Sequence, residues 1–261
     1  MKINTSFSNL SSEERIKWIR LSRSENVGKA TFFRLIDLYG SASAALEQIS
    51  DHAVKGGLGR KIKICSQIDV ERELENSHKI GAELLLFCED KYPRLLREID
   101  DPAPVITVKG KTELLNQYGV AVVGPRNASF NGTAFARKIA ADLGGNSLII
   151  NSGLAKGIDT AAHESSLKTG TIAVIAGGID HIYPSENADL YHKIAKQGLL
   201  VSELPLGMPP KGGNFIQRNR IISGISLGVV VVEASLRSGS LTTARFAGEQ
   251  GREIFSVPGS P

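Results

Sequence analysis

Cysteine is scarce in this chain of 261 residues. Only Cys65 and Cys88 occur, and their spacing suits neither a metal knuckle nor a redox pair. A disulfide scaffold and a zinc ribbon are therefore excluded, and a reducing, cytoplasmic setting is expected. Long apolar runs are missing too. The longest cluster, at 227–232, falls far short of the roughly 20 residues needed to cross a bilayer. The opening MKINTSFSNLSSEERIKW has no apolar signal core, so no membrane partner is expected. Familiar catalytic signatures are also absent. No GxGxxG follows an apolar run, no GxxxxGK[ST] phosphate loop or HExxH occurs, and no serine elbow joins a strand to a helix. Neither metal, cofactor nor catalytic residue is expected. Charge is close to balanced: +4 overall, with pI ≈ 9.0. That permits a polyanionic partner without requiring one.

What is present suits a globular chain, at 41% hydrophobic and 22% charged residues. Two domains are expected, 1–80 helical and 81–261 α/β. In the first, Ser11 or Ser12 can cap a helix carrying Ile16, Trp18, Ile19 and Leu21. Gly28 precedes a second helix bearing Phe32, Phe33, Leu35, Ile36 and Leu38, which Gly40 stops. Ser41 or Ser43 starts a third. Short helices around a glycine turn resemble a SAM-like or helix-hairpin-helix unit, which leaves DNA backbone and protein both open as partners. Gly56, Gly57 and Gly59 mark a loop, and 70–80 reads as a helix.

The texture changes near residue 82. Residues 83–87 read as a strand; Pro93, Pro102 and Pro104 then enforce irregular, extended chain before a strand at 105–108. Buried β runs at 120–123, 148–151, 171–175, 199–201, 229–232 and 254–257 alternate with helices starting near Asn131, Asp159, Asn187, Asn214 and Ser240. This alternation predicts a doubly wound, mostly parallel sheet of Rossmann-like type.

The stretch GVAVVGPRNASFNG, 119–132, organises that half. An apolar strand breaks at Gly124, the loop presents Arg126, Asn127 and Ser129, and a helix follows with Phe135, Ile139 and Leu143 on one stripe beside Ala136 and Ala140. Backbone N–H groups at a helix start, with a guanidinium, favour an anion. Four further loops follow strand ends. In 151–163, Gly153 and Gly157 allow close approach, Lys156 offers a cation, Asp159 caps a helix and His163 is read as a packing residue. In 176–187, Tyr183-Pro184 makes a rigid turn, Asp180 is read as structural and Asn187 as a cap. In 202–226, Lys211, Arg218 and Arg220 surround Phe215 and Asn219; cations beside an aromatic suit a single nucleic-acid strand. In 232–245, Ser238, Gly239 and Ser240 open a helix as a phosphate cradle, Arg237 adds charge, and Glu233 is read as orienting a loop amide or an arginine.

Taken in order, six segments resemble the DNA-processing protein A family (DprA, also called Smf). They are YPRLLREIDDPAP, VAVVGPRNASFNG, INSGLAKGIDTAAH, GGIDHIYPSEN, SELPLGMPP with NFIQRNRIISGIS, and VVEASLRSGSLTTARFAGEQGREIFSVPG, spanning 92–259. The resemblance implies a non-catalytic protein that binds single-stranded DNA with little sequence preference, protects incoming strands in natural transformation, loads RecA recombinase and forms a homodimer. It places the family's loops on Gly124-Pro125-Arg126, on 152–157 with Ser152 and the basic Lys156, on Phe215 with Arg218-Asn219-Arg220, and on 238–240. Pro125 stands where a hydroxyl residue is usual, and Ile216 where proline is. The resemblance also implies further chain beyond Pro261, towards a winged-helix region. Two alternatives are a phosphoribohydrolase-like nucleotide enzyme and a protein-interaction scaffold. The first expects PGGxGTxxE, where this chain has RSGSLTTAR, with Ala244 or Arg245 at the glutamate's place.

Overall fold

The computed structural model describes residues 10–55, 63–235 and 238–258, with side chains through residue 49 in the first stretch. The chain divides into two compact units, 1–92 with 100–106, and 93–99 with 107–261.

The first unit contains α1 (Ser12–Arg23), α2 (Lys29–Tyr39), α3 (Ala42–Lys55), α4 (Gln67–Lys79) and β1 (Ala82–Leu86). Ser11 is the cap of α1, accepting from the Glu14 amide. Ser41 opens α3 by accepting from Ala44. Gly40 ends α2 in the left-handed region. The helix expected at 70–80 begins earlier because Ser66 caps it, accepting from Asp69. Gly56, Gly57 and Gly59 lie outside the described residues. The core is an edge-on chain of rings. Centroids are 4.9 Å apart for Trp18–Phe32, 5.2 Å for Phe32–Phe33, 4.9 Å for Phe33–Phe87 and 5.6 Å for Phe87–Tyr92. Both polar tips are satisfied: Trp18 Nε1 donates to Pro104 O and the Tyr92 hydroxyl to Ala103 O, each at 2.9 Å. Such pairs contribute roughly 0.5–1.5 kcal/mol beyond burial.

The second unit holds α5 (Arg94–Arg97), β3 (Gly119–Val123), α6 (Phe130–Gly145), β4 (Ile149–Ser152), α7 (Ile158–Ser166), β5 (Thr171–Val174), α8 (Ala188–Gln197), β6 (Leu199–Ser202), α9 (Gly212–Gly224), β7 (Gly228–Val231), α10 (Gly239–Glu249) and β8 (Glu253–Ser256). β2 (Val105–Gly110) runs into it. The extended reading of 93–104 is corrected at α5. Pro93 needs no N–H at a helix start, and Arg252 Nη2 donates to Leu95 O at 2.8 Å. Strand order is β1-β2-β6-β5-β4-β3-β7-β8, antiparallel between β2 and β6 and parallel from β6 to β8. β3, β4, β5, β6 and β7 are buried throughout, which explains their unbroken apolar character.

The stripe expected on α6 needs correction at one residue. Ala136 and Ala140 lie in the core with Ile139 and Leu143 packed against it, while Phe135 is exposed. Small side chains let the helix lie close to Val120, Val122, Ile150 and Val230. Full burial of Val122 is worth about 1.5–3 kcal/mol. From β3 the chain winds through β4 and β5 to β6, then crosses back through α9 to β7 on the other side of β3. The loops after β3 and β7 therefore diverge, leaving a crevice at the carboxyl ends of the strands.

Candidate functional site

A cavity of about 450 Å³ fills that crevice. Gly124, Arg126 and Asn127 line it from the β3 loop, Phe215, Arg218 and Asn219 from α9, and Ser238, Gly239 and Ser240 from the start of α10. Asp159, Ile222 and Thr243 add to the lining. A smaller hollow of about 40 Å³ shares Arg126, Phe215 and Arg218 and adds Gly153, Lys156 and Tyr183. Five segments far apart in sequence thus meet at one sheet edge.

At the mouth, the Arg126 guanidinium lies over Phe215, 5.2 Å from the ring centroid. Tyr183 meets the same ring at 5.3 Å, tilted by 57°. The result is a cation and two rings in a half-open setting, and such a platform holds a flat π-system beside an anion. Deeper in, Arg218 is only 7% exposed, and its Nη1 donates to the carbonyls of Gly153 and Val174. A Cβ at Gly153 would stand 2.5–2.6 Å from the guanidinium, so any other residue there has to displace Arg218. Burial lowers the Arg218 pKa to about 10, with Asp159 opposing and Arg126 reinforcing the shift. The side chain stays charged at neutral pH.

Asp159 is buried at the start of α7 and accepts from the amides of Gly153 and Ala155. Burial raises its pKa; Arg218 and these amides oppose the rise. His163 is fully buried. Its Nε2 accepts from Leu154 N, and Nδ1 faces the Thr171 hydroxyl, which itself donates to Ile150 O. The ring is therefore the neutral Nδ1–H tautomer, and burial together with the charge of Arg218 lowers its pKa to about 3. It secures Leu154, whose φ is 56°, and acts as a packing residue.

Several expected ligands have other tasks. Ser152 is fully buried and donates to Val122 O, which corrects its reading as a phosphate contact. Ser129 gives its N–H and hydroxyl to Glu233, while its Oγ caps Gly132 N. The chain's own carboxylate thus occupies the start of α6, and these bonds lower the Glu233 pKa, the hydroxyl most. Gly157 starts α7 with φ 76°, its face against Pro125 O. Arg220 is buried and pairs with Glu203, away from the cavity lining. Lys211 is exposed and lines neither hollow. Lys156 pairs with Glu186 at the surface. Asp180 holds the Gly207 amide, and Asn187 donates to Leu154 O and Thr160 Oγ1 instead of capping α8. Arg237 lies outside the described residues. One formal GxSxG, 224–228, runs from helix to strand; its Ser226 is buried and donates to Ile222 O.

Tyr183 and Asp159 were not foreseen as lining residues. Tyr183 stood in a post-strand loop, but its meeting with Phe215 depends on the crossover of α9, which no local spacing encodes. Among the described residues no group of three or more His, Cys, Asp or Glu could hold a metal ion, and no helix is long and apolar enough to cross a membrane.

The model of the DNA recombination-mediator protein A family matches residues 83–261, and that of a DprA-like N-terminal HHH domain matches 12–76. Protein Smf of Synechocystis is 37% identical over 270 aligned positions, covering 97% of this chain and 66% of the relative. Protein Smf of Escherichia coli is 45% identical, covering 72% and 50%. DNA processing protein DprA of Streptococcus pneumoniae is 47% identical, covering 67% and 62%. The chain thus spans one half to two thirds of the length of these curated relatives. The solved S. pneumoniae DprA superposes with a TM-score of 0.71 at 32% identity, covering 99% of this chain and 85% of that one. Helicobacter pylori DNA processing protein A, described for its single-stranded DNA binding mode, gives 0.65 at 30% identity, covering 69% and 82%. The chain belongs to the DNA recombination-mediator protein A family.

Proposed function

We propose that this chain binds single-stranded DNA along the carboxyl edge of its sheet, without catalysis, and delivers it to RecA recombinase in the cytoplasm. The observation that carries the reading is Arg126 stacked on Phe215, with Tyr183 alongside, over a crevice holding the buried charge of Arg218. A strand presents phosphates and splayed bases together. The guanidinium answers the first, and the rings the second. Family membership and the H. pylori relative support the same partner. RecA delivery and a homodimer rest on the family alone.

The non-catalytic part is supported by the acidic group among the described lining residues: Asp159 is buried and accepts from the Gly153 and Ala155 amides. His163 and Ser226 are buried and committed to backbone, and Ala244 or Arg245 stands where a phosphoribohydrolase would need a glutamate. The deciding experiment is fluorescence anisotropy with a mixed-sequence oligonucleotide, single- and double-stranded, at two salt concentrations. Wild type should prefer the single strand with a log–log salt slope of about −0.7 per neutralised phosphate. Arg126→Ala/Lys156→Ala should lose most of that binding while remaining folded. A flat salt response overturns the mechanism. Filament assembly by RecA on strands precoated with this protein tests the delivery step.

A further inference from the structure

The cavity is asymmetric in charge. Arg218 is more than nine-tenths buried, its Nε has no hydrogen-bond partner, and Nη1 alone carries its two carbonyl bonds among the described residues. It lines the same cavity as Ser238, Gly239 and Ser240, the first turn of the 11-residue helix α10. Within that turn the Ser240 amide donates to Ser238 Oγ and the Leu241 amide to Ser238 O, and the helix start as a whole carries a partial positive charge. Arg126 lines the cavity as well, and its charge is felt at Arg218 as repulsion. Among the described lining residues the one acidic side chain is Asp159, whose carboxylate already accepts two amides. Two guanidinium groups and a helix start converge on a recess with a single, already bonded, counter-charge.

We propose that this recess holds a phosphomonoester group between Arg218 and the first turn of α10, so that the site recognises a phosphorylated nucleotide terminus. An internal phosphodiester carries one charge and needs an exit for chain on both sides. A phosphomonoester carries close to two and needs one exit. The depth of Arg218 and the two converging cations fit the second. The group can come from the end of a strand or from a free nucleoside monophosphate. The strand source rests on the function proposed above; the free nucleotide does not.

The test uses the full chain and 3′-labelled mixed-sequence oligonucleotides: a hexamer with a 5′-phosphate and a heptamer with a 5′-hydroxyl, matched in number of phosphates. The phosphorylated hexamer should bind about tenfold tighter. Arg218→Gln should bring that ratio near one. Because Arg218 is buried, Gly239→Asp provides a second variant. Nothing lies within 4 Å of a Cβ at Gly239, and an acidic residue is favourable in a first turn, so the fold is kept while a carboxylate enters the recess. It too should abolish the preference. Calorimetry with thymidine 5′-monophosphate against thymidine separates the sources. Phosphate-dependent binding of the monomer supports the free nucleotide, and its absence beside a tighter hexamer supports the strand end. Equal binding of both oligonucleotides with no monomer binding overturns the inference and leaves strand binding standing. Monomer binding without any oligonucleotide binding removes the strand reading and keeps the recess. A preference that survives Gly239→Asp in folded protein also overturns the inference.

Discussion

Arg218 and Arg220 sit two residues apart on α9, both buried, yet their surroundings differ. On the Arg220 side, Glu203 pairs with the guanidinium and the charge is cancelled within the protein. On the Arg218 side, two backbone carbonyls hold the group beside a cavity, and Asp159 offsets its charge only in part, without an ion pair. A buried ion pair of the first kind is structure. A buried charge without an ion pair, facing a hollow, is what the anion of the proposed ligand would complete. The two positions are indistinguishable in the sequence QRNR.

The largest effect should come from breaking the Arg220 side. Glu203→Ala leaves a buried guanidinium without its carboxylate and should cost about 3–5 kcal/mol in urea unfolding. If the loss is below about 1 kcal/mol, the pair is not structural and the contrast fails. Next comes the seat of Arg218. Gly153→Ala places a methyl where the guanidinium lies and should destabilise by about 1–3 kcal/mol. It should also weaken oligonucleotide binding, which Glu203→Ala in its folded state should not.

A pH titration sharpens the same contrast. His163 takes a proton in the unfolded chain near its ordinary 6.5 but in the folded chain only at about 3. Over that window the unfolded state binds more protons, so stability should fall as pH drops from 6.5 towards 3. Part of the depression is the charge of Arg218. Arg218→Gln should raise the folded pKa of His163 and narrow the window from its acid end, readable from thermal unfolding at several pH values. Removing Arg220, whose charge is already met by Glu203, should leave the window unchanged.

The sheet was legible because both faces of each parallel strand are buried. Runs such as 120–123 and 229–232 therefore had to be apolar, and each ended where a polar loop began. The crevice was legible as a set of loops at one edge. The partition of those loops was not. Ser152 and Ser129 look like any phosphate-loop serine, but one is buried at the end of β4 with its hydroxyl on Val122 O and the other held by Glu233, more than a hundred residues later. The α6 stripe misled only at Phe135, for a related reason. Alanine and glycine are the residues that allow closest approach to the sheet, so the larger Phe135 was pushed to the surface. Hydrophobicity ranks side chains by their gain on burial and says nothing of the space available.

The smallest effect tests the rim of the site. Lys156 belongs to the hollow beside Arg218 but is paired at the surface with Glu186, both side chains about half exposed. The hydrogen bond from Lys156 is the main cause of the lowered Glu186 pKa. A phosphate approaching Lys156 must displace that carboxylate, and an exposed pair of this kind is weak and screened by salt. Glu186→Gln should therefore raise affinity for the single strand by only about threefold at low salt, with the gain fading as salt increases. Equal affinity at low salt would mean that Lys156 does not meet the strand at all. Binding would then be confined to the buried charge of Arg218 and to Arg126.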